Sequence, residues 1–587
     1  MRYGIRNNAI YSLCSAYVYT VLLTLLFTKQ DPLTKEFIQN YTFLWQILSF
    51  FLLAIGFFLV SFALKKLCTG ATVAGATIAA VYSVILELNV NFYYAAMLCA
   101  LIAVIVLRYW KPVIPLKMNN PAAWLTVGVL YLLMSALIGY GTTIRYLSYG
   151  SSNYDMGIFS QMFENMAKTG IQYTTVERND LLSHFHVHFS PIFYALLPVY
   201  MLFRTPAVLP VLQALVVYSG VFPLVKLCGI YGASPKQKAA AGAVYLLYPA
   251  FGAACFYDIH ENMFLPALLL WLFVCLEKNR RIGATIVTLL TLCVKEDTGL
   301  FVVIIGLFGV FAFKNARKLS VGVVLAGTAG FVLTNRFVNQ FGEGVKVNRY
   351  AAYLLDGQDS LADVAVNVVR NPLYFLSNLL SADKLVFVLT VLIPLLFLPV
   401  VCRRVYEYLL LIPVVVVNLA TMYPYQYSIH YQYVFAPGAV LLYLFVRNGA
   451  RFPKLRSKQL VAAACMGAVL LTNAVSDLFQ LYDERYALEA DKIAATNTLI
   501  AGIDKDLSVR ADTYLIPMLY DHAQVYNFDL SVANWADVDC ILLDSRQSDY
   551  ADKLIDAQLK GYAYAESAGY ATALFVVGYK DTASGNV

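Results

Sequence analysis

Apolar stretches that are long enough to cross a membrane recur along most of this 587-residue chain. A spanning helix needs roughly 20 residues to cross about 30 Å of hydrocarbon. The composition agrees, because 60% of the residues are hydrophobic and 13% are charged, whereas a soluble domain carries about 25% charged residues. These features exclude a soluble enzyme and predict an α-helical polytopic membrane protein.

We predict about 13–15 membrane spans from these stretches. They lie at 9–27, 43–64, 72–88, 91–107, 122–141, 206–228, 239–255, 263–277, 282–295, 298–313, 319–335, 384–401, 408–422, 431–446 and 459–475. The segment 190–203 is also apolar, but it is short and contains Pro191 and Pro198. A re-entrant or interfacial helix is therefore expected there.

Lysine and arginine residues form short clusters between the predicted spans. If the N-terminus is cytoplasmic and the spans alternate, every cluster falls on the inner side, as the positive-inside rule requires. The clusters are Lys65–Lys66, Arg108–Lys111–Lys117, Lys226–Lys236–Lys238, Lys278–Arg280–Arg281, Lys314–Arg317–Lys318, Arg403–Arg404 and Arg447–Arg451–Lys454–Arg456–Lys458. The net charge of +7 therefore marks topology in a cell membrane and not a nucleic-acid-binding patch.

This topology divides the chain into three parts. Residues 1–141 are N-terminal transmembrane helices, and residues 142–475 are a transmembrane core with outer loops at 142–205 and 336–383. The tail, 476–587, is less apolar and contains strand-like stretches such as VDCILLD and ATALFVVGY beside helix-like ones. It is predicted to be a small extracytoplasmic α/β domain.

Asp155 is the first candidate site residue. It lies in the motif NYDMG, directly before a predicted interfacial helix whose apolar stripe contains Phe159, Phe163 and Met166. The stripe would hold Asp155 at the lipid surface, where an ionisable group indicates a functional site. The alternative is that Asp155 only caps this helix, a common role of aspartate.

Three histidines alternate in the motif HFHVHFSP, at His184, His186 and His188. In an extended segment they share one face, and this spacing permits metal binding. No carboxylate accompanies them in the motif. We therefore predict one or two functional histidines, with His184 and His188 as supporting or metal-binding candidates; the alternative is ordinary interfacial histidines.

Two further clusters of ionisable residues join predicted spans. They are YDIHEN, with Asp258, His260 and Glu261, and KED, with Lys295, Glu296 and Asp297. The KED motif is either a self-neutralising hairpin tip or an ammonium aimed at a phosphate, with carboxylates that fix it or a metal. Function is favoured because several such clusters converge on one face.

Arg349, in the predicted outer loop, and His430, which opens a late span, are weaker candidates for binding an anionic head group. Five tyrosines lie between residues 423 and 433. An aromatic belt at the membrane surface is therefore the alternative interpretation of this region.

A series of motifs then resembles a known family. YDMGIFSQMFENM, HFSPIFYALLPVYMLF, LQALVVYSGVFPLVKL, FYDIHENMFLPALLL and LCVKEDTGLFV follow one another in this order. In order and spacing they resemble the DUF2079 family of predicted bacterial membrane proteins, which is placed in the GT-C superfamily of polytopic glycosyltransferases. The resemblance covers residues 140–450 and, more loosely, the tail.

The resemblance implies a GT-C-like helical bundle that moves a sugar from a polyprenyl-phosphate carrier to a cell-envelope glycan, lipid or protein acceptor. It implies an acidic catalytic residue in the first outer loop, at Asp155, and a second acidic position at Asp258 or Glu261. Lys295 and Glu296 would lie near the donor phosphate. The spans before residue 142 depart from the simplest GT-C layout, in which the catalytic loop follows the first span.

On this interpretation Asp155 removes the proton of the acceptor hydroxyl as it attacks the anomeric carbon, with inversion. Positive charge for the departing phosphate would come from Lys295, a histidine or a divalent metal such as Mg²⁺ or Mn²⁺. The alternative is a transporter or flippase of a lipid-linked or small polar substrate. That function predicts inverted repeats and ionisable groups near the midplane, and the sequence contains neither pattern; a structural or polymer-ligase-type membrane protein is a third possibility.

Overall fold

The computed structural model describes residues 2–34, 37, 43–87, 90–110, 118–341, 347–528 and 538–576. Most of these residues are helical. The helices are Arg2–Thr28, Phe43–Ile85, Phe92–Tyr109, Asn120–Leu147, Ile158–Thr169, Leu197–Phe203, Val208–Ser219, Val221–Ile230, Pro235–Leu246, Pro249–Cys255, Leu265–Glu277, Arg281–Leu292, Thr298–Ala312, Arg317–Asn339, Leu361–Arg370, Pro372–Asn378, Ala382–Leu392, Phe435–Gly449, Arg456–Leu488, Ala490–Ala501 and Tyr550–Leu559. Short 3₁₀ and π turns connect many of them.

Within the described residues, 6 helices are long and apolar enough to cross a membrane, or up to 7 if one bent pair counts as a span. They are Ala9–Thr28, Leu44–Ser61, Asn120–Leu147, Val208–Ile230, Lys314–Asn339 and Arg456–Leu488, with Pro372–Asn378 and Ala382–Leu395 as the bent pair. Several shorter apolar helices accompany them. The prediction of a polytopic helical membrane protein is confirmed, although fewer unbroken spans pass this test than the predicted 13–15.

Helix breaks explain the lower number of long helices. Pro249 separates the helix Pro235–Leu246 from Pro249–Cys255, and Pro413 lies between the turns Val405–Leu411 and Val414–Leu419. Proline has no backbone N–H and blocks the preceding helical turn. In a membrane such breaks are tolerated where protein surrounds the backbone, and Pro249–Cys255 is fully buried.

The N-terminal region differs from the predicted layout. The spans predicted at 43–64 and 72–88 lie in one helix, Phe43–Ile85, which continues through the positions of Lys65 and Lys66. Residue 88 and the predicted inner-side residues Lys111 and Lys117 lie outside the described residues. The side of the membrane on which the N-terminus lies therefore stays a prediction.

The segment 190–203 does not form a long helix. It contains a 3₁₀ turn, Pro191–Ala195, and a helix of 7 residues, Leu197–Phe203. Proline is favoured in the first turn of a helix, and Pro198, which has no backbone N–H, cannot continue the turn Pro191–Ala195. The re-entrant or interfacial position of this segment stays a prediction.

The C-terminal region forms the expected small α/β domain. Its five-stranded sheet has the order Gln524–Asn527, Ser508–Ala511, Cys540–Asp544, Ala571–Val576 and Tyr562–Ala568. The first three strands are parallel and the last two are antiparallel to their neighbours. Residues 529–537 and 577–587, including the end of the predicted strand ATALFVVGY, lie outside the described residues.

The C-terminal domain is joined to the membrane core by one helix and by contacts with the loop 142–205, several of them at its edge strand. The predicted boundary at 475/476 falls inside the helix Arg456–Leu488, so no linker separates the two parts there. At the edge strand, Thr175 Oγ1 donates to Val525 O (2.8 Å) and accepts from Val525 N (2.9 Å). Asn179 pairs in the same way with Asn527, at 2.8 and 2.7 Å. Side chains of the loop 142–205 thus occupy the edge of the sheet.

Close packing of two helices depends on glycine. A Cβ added at Gly327 would lie 2.9 Å from Val302 Cγ1 and 3.0 Å from Gly299 O, so the helices Thr298–Ala312 and Arg317–Asn339 touch through their backbones. Small residues at such contacts are the usual means of helix association in membranes. Gly322, on the same helix, has open space around its Cβ position.

We expect Gly327→Ala to lower the stability of the protein by about 1–3 kcal/mol, because the methyl group forces the helices apart. Gly322→Ala is the matched control and should raise stability by up to about 1 kcal/mol through helix propensity. Thermal unfolding of both variants in one detergent measures the difference. Equal unfolding temperatures would contradict the close contact.

Candidate active site

A cavity of about 820 Å³ lies where the loop 142–205, several hairpin turns of the core and the C-terminal domain meet. Among the residues predicted from the sequence, its wall contains Asp155, His184, His188, His260, Lys295 and Arg349. Tyrosines form much of the remaining wall, at Tyr154, Tyr257, Tyr423, Tyr425, Tyr431, Tyr433, Tyr482 and Tyr514. Clusters that are far apart in sequence thus share one cavity.

Asp155 lies in a π turn, Asn153–Gly157, that precedes the helix Ile158–Thr169. The N-cap of this helix is Gly157, without a side-chain hydrogen bond, so Asp155 is not its cap. The carboxylate accepts a hydrogen bond from the Tyr257 phenol. Burial, followed by the negative charges of Asp258 and Glu261, raises the pKa of Asp155 to about 8.

The helix after Asp155 is held by protein and not by lipid. Phe159, Phe163 and Met166 form the predicted stripe, and each is at most 2% exposed. Phe159 and Phe163 pack on Phe193, with ring centres 4.9 and 5.6 Å apart. The expected stripe exists, but the expectation that it lies at the lipid surface is wrong, because Phe193 and its neighbours cover it.

The turn that carries Asp258 and His260 is fixed by a buried glutamine from the helix Val208–Ser219. Gln213 Nε2 lies within hydrogen-bond distance of three carbonyl oxygens of this turn, including those of Tyr257 (3.4 Å) and Asp258 (3.3 Å). Gln213 Oε1 accepts from the His260 backbone N–H at 3.0 Å. Since an unpaired backbone group is costly to bury, this side chain determines the path of the turn.

Asp258 does not line the cavity; it forms an ion pair with Arg145, whose side chain does. The Asp258 side chain is 1% exposed and that of Arg145 is 12% exposed. Ser152 Oγ lies 3.5 Å from the second carboxylate oxygen. The pair therefore ties the last turn of the helix Asn120–Leu147 to the turn after Cys255.

Glu261 and Lys295 form a second buried ion pair, with Lys295 Nζ 2.7 Å from Glu261 Oε1. Burial opposes the charge on Glu261, but the positive charge of Lys295 outweighs it and holds the pKa of the carboxyl well below its usual range. The carboxylates of Glu261 and of the adjacent Glu296 likewise outweigh burial and raise the pKa of Lys295. The Lys295 side chain is thus protonated at the cavity wall, and Glu261 balances part of its positive charge.

The histidine segment is fixed by two carboxylates. His188 Nδ1 lies 2.9 Å from Glu296 Oε1, and Glu296 Oε2 accepts from the Phe189 backbone N–H at 3.1 Å. His184 Nδ1 lies 2.9 Å from Glu177 Oε2. The carboxylates that the sequence motif lacks thus come from other segments.

Three other residues of the sequence prediction lie outside this arrangement. His186 stacks on Phe341, with ring centres 4.0 Å apart, and does not line the cavity. Asp297 is exposed and His430 is half-buried, and neither lines the cavity. Within the described residues, no group of three or more His, Cys, Asp or Glu is placed to hold a metal ion.

Arg349 reaches the cavity from the turn Val347–Tyr353. Its guanidinium carbon lies 4.9 Å from the ring centre of Tyr423 and 5.2 Å from that of Tyr433, and it donates to the Tyr433 hydroxyl at 3.3 Å. Among the described residues, no carboxylate forms an ion pair with Arg349. This arginine therefore brings positive charge to the cavity that no acidic side chain of the described residues neutralises through an ion pair.

The sequence prediction missed Arg145, Gln213, Glu177 and the contribution of the C-terminal domain. Arg145 and Gln213 are single polar residues in or beside apolar stretches, and such residues are costly enough in a membrane to mark a site. Thr513 has no comparable signal. It lines the cavity and its hydroxyl bonds the Asn153 side chain, beside the turn of Asp155.

The fold and the cavity define a polytopic membrane protein with an ionisable site shared between its membrane core and a C-terminal domain. Residues 145–570 match the family described as predicted membrane protein, DUF2079. The match covers more than half of the chain, and the chain belongs to this family. No curated protein sequence matches it.

Two solved structures of ArnT from Cupriavidus metallidurans are similar to the chain. The structure bound to undecaprenyl phosphate is 11% identical in sequence, with 76% of this chain and 97% of that chain covered, and its TM-score is 0.47. The apo structure is 10% identical, with 78% and 98% covered, and its TM-score is 0.45.

The two aspartates should respond differently to the same substitution. Asp258→Asn leaves Arg145 buried without a counter-charge and should lower stability by about 3–5 kcal/mol. Asp155→Asn should be neutral or stabilising at pH 8 and above. A carboxyl with a raised pKa stabilises the fold below its unfolded pKa and loses this contribution as the pH rises through about 8.

Thermal unfolding of wild type and both variants, at pH 6 and pH 9 in one detergent, measures these effects. The gap between wild type and Asp155→Asn should shift in favour of the variant at the higher pH. An equal loss of stability in both variants would contradict the assignment of different environments to the two carboxyl groups.

Proposed function

We propose that the chain is a GT-C-type membrane glycosyltransferase. It moves a hexose or pentose from a polyprenyl-phosphate donor to a hydroxyl group of a cell-envelope glycan, lipid or protein acceptor outside the cytoplasm, with inversion. One observation carries this proposal. A single cavity combines a carboxyl group whose pKa is about 8, cationic side chains and tyrosine walls.

Asp155 is the base of the proposed reaction. The acceptor oxygen forms a bond to the anomeric carbon, the bond from that carbon to the phosphate oxygen breaks, and the hydroxyl proton moves to the Asp155 carboxylate. A base works best when its pKa is near the operating pH, and a pKa of about 8 meets this condition. The Tyr257 phenol, which bonds the carboxylate, orients it.

Arg349 and Lys295 are the groups that stabilise the departing phosphate. Guanidinium groups bind phosphate through parallel hydrogen bonds, and the charge of Arg349 is not neutralised by a described carboxylate. The Lys295 ammonium is already paired with Glu261 (2.7 Å). Lys295 therefore stabilises the phosphate less than Arg349 does until the substrate competes with Glu261 for this ammonium group. Fixed positive groups of this kind stabilise charge that develops in the transition state.

The tyrosines supply the shape of a sugar site. Their rings present flat apolar faces and their hydroxyl groups present hydrogen-bond partners, which are the two features that a sugar ring requires. Tyr257 and Tyr431 have ring centres 4.7 Å apart, as have Tyr425 and Tyr431. These contacts join the Asp155 side of the cavity to the Arg349 side.

The charge pattern supports an external cavity. Several helices have one end near a turn that lines the cavity and basic residues at or next to their other end. Examples of these basic residues are Lys278, Arg281 and Lys314. The positive-inside rule assigns such turns to the cytoplasm, and the cavity then faces the other side, together with the C-terminal domain.

Mg²⁺ or Mn²⁺ remains an alternative source of positive charge. The described donor set does not fit a metal ion, because no three ligating side chains converge. We therefore assign phosphate stabilisation to the side chains of the chain itself. Assays with and without EDTA test this assignment, which predicts equal transfer rates.

Asp155→Asn should lower the rate of sugar transfer by about 10²–10⁴-fold, since the base is lost. The measurement uses protein reconstituted in vesicles, a panel of radiolabelled polyprenyl-phosphate hexoses and pentoses, and cell-envelope extract as acceptor. Asp552→Asn, an exposed carboxylate on the helix Tyr550–Leu559, is the control and should retain the wild-type rate. The wild-type rate should also rise with pH towards about 8, the pKa of Asp155, because deprotonation creates the base.

Two results would contradict this function. Undiminished transfer by Asp155→Asn, with normal expression, would remove Asp155 as the base. Movement of the intact labelled lipid across the vesicle membrane without a new glycosylated product would instead support the transporter or flippase alternative.

Arg349→Met should weaken binding of undecaprenyl phosphate by about tenfold or more, because a charge-assisted hydrogen bond is worth roughly 1.5–3 kcal/mol. Arg336→Met is the matched control, since Arg336 is exposed near the end of a span and outside the cavity. Native mass spectrometry of protein titrated with the lipid in detergent measures both. Equal affinity of the two variants would show that Arg349 does not hold the phosphate.

A further inference from the structure

Two consecutive helices lack any buried residue. They are Leu361–Arg370 and Pro372–Asn378, in the segment that the sequence predicts as an outer loop. Ser360 and Asp363 form a capping box at the start of the first helix, and such a cap stabilises a helix end. A regular helix that buries nothing against its own protein requires another partner.

The first helix is strongly amphipathic. Asp363, Asn367 and Arg370 are spaced at i, i+4 and i+7 and share one face. Its other positions are leucine, alanine or valine. Val369 is 79% exposed, and Leu373 on the next helix is 77% exposed. Both consecutive helices thus expose large apolar side chains, and exposed apolar surface of this kind marks an interaction site.

The orientation of this surface is fixed by contacts of the polar face. Asn367 Nδ2 donates to Tyr353 O (2.9 Å) and to Gln358 Oε1 (2.6 Å). Tyr353 also packs on Tyr374 and Phe375, with ring centres 6.1 and 5.6 Å apart. The polar face is therefore turned to the preceding turn of the same segment, Val347–Tyr353, and the apolar face is turned away from that turn.

The next helix leads into a candidate membrane span. Pro372–Asn378 and Ala382–Leu395 pass the test for a membrane span together but meet at an angle of 71°. If Ala382–Leu395 follows the membrane normal, Pro372–Asn378 lies close to the membrane plane. A helix with a wide apolar face in this position matches the interfacial class of amphipathic helices.

We infer that residues 347–378 form a membrane-surface arm, whose apolar face, carried by the helices Leu361–Arg370 and Pro372–Asn378, lies in the interfacial layer of the bilayer. The occupant of this face is lipid acyl chain. Lipid is favoured over a protein partner because the arm leads directly into the candidate span Ala382–Leu395. The arm therefore starts from the bilayer surface, where lipid is the nearest apolar material. Tyr353, Tyr374 and Phe375 occupy the depth at which aromatic residues concentrate in membranes.

The arm also reaches the cavity. Arg349 lies in its first turn, and the Arg349 carbonyl accepts from the Met422 N–H at 2.9 Å. An arm that lies at the interface therefore sets Arg349 at the depth of lipid phosphate groups. The location of the arm goes beyond the proposed sugar transfer and does not depend on it.

Site-specific photo-crosslinking tests the location of the arm. Benzoylphenylalanine replaces Val369 in one variant and Leu373 in a second, and the full chain is irradiated in vesicles of phosphatidylethanolamine and phosphatidylglycerol. Leu559, which is 81% exposed on the C-terminal domain, is the control position. Mass spectrometry of the purified chain measures the fraction that carries a phospholipid adduct.

The arm predicts several-fold more lipid adduct at positions 369 and 373 than at 559. Elution as a single species in gel filtration verifies that each variant is folded, and two positions guard against the loss of one variant. Adduct levels equal to the control at both positions would overturn the proposal, as would crosslinks to a second protein chain in place of lipid. Failure of undecaprenyl phosphate to bind would affect the proposed function alone.

Discussion

Pairs of ionisable side chains organise this site. Arg145 with Asp258, Lys295 with Glu261, and His188 with Glu296 each join two segments that are distant in sequence. A buried charge without a partner carries a large desolvation penalty, so each partner fixes the position of the other. Breaking one pair leaves a buried charge unmatched, and for this reason the turns of the cavity wall depend on one another.

The pairs also distinguish the residues that remain available for chemistry. Asp155 has a phenol for a partner and a pKa of about 8, and Arg349 has tyrosine rings around its guanidinium. Neither has a described counter-charge that neutralises it fully. Asp258, which the resemblance implies together with Glu261 as a second catalytic position, is paired with Arg145 and lies outside the cavity lining.

The sequence was sufficient to predict the membrane class, the α/β tail and most of the ionisable residues that meet in the cavity. These predictions depend on apolar length and on the rarity of charge in a membrane, which are local properties. Long-range partners are not local. Nothing in the motif HFHVHFSP indicates that Glu296 supplies its carboxylate, and nothing near Asn153 indicates Thr513. Two separate spans were predicted where the structure has the single helix Phe43–Ile85. The pair Lys65 and Lys66 indicated a loop between them, although lysine is a good helix former.

On the proposed reaction the charge of the cavity stays constant. A sugar phosphodiester brings one negative charge, which the guanidinium of Arg349 balances. When the sugar leaves, the phosphate gains a second negative charge, and Asp155 loses its own by taking the acceptor proton. The raised pKa of Asp155 favours this exchange, since burial and neighbouring carboxylates already disfavour its charged form. The same environment that destabilises the Asp155 carboxylate therefore drives the proton transfer on which the reaction depends.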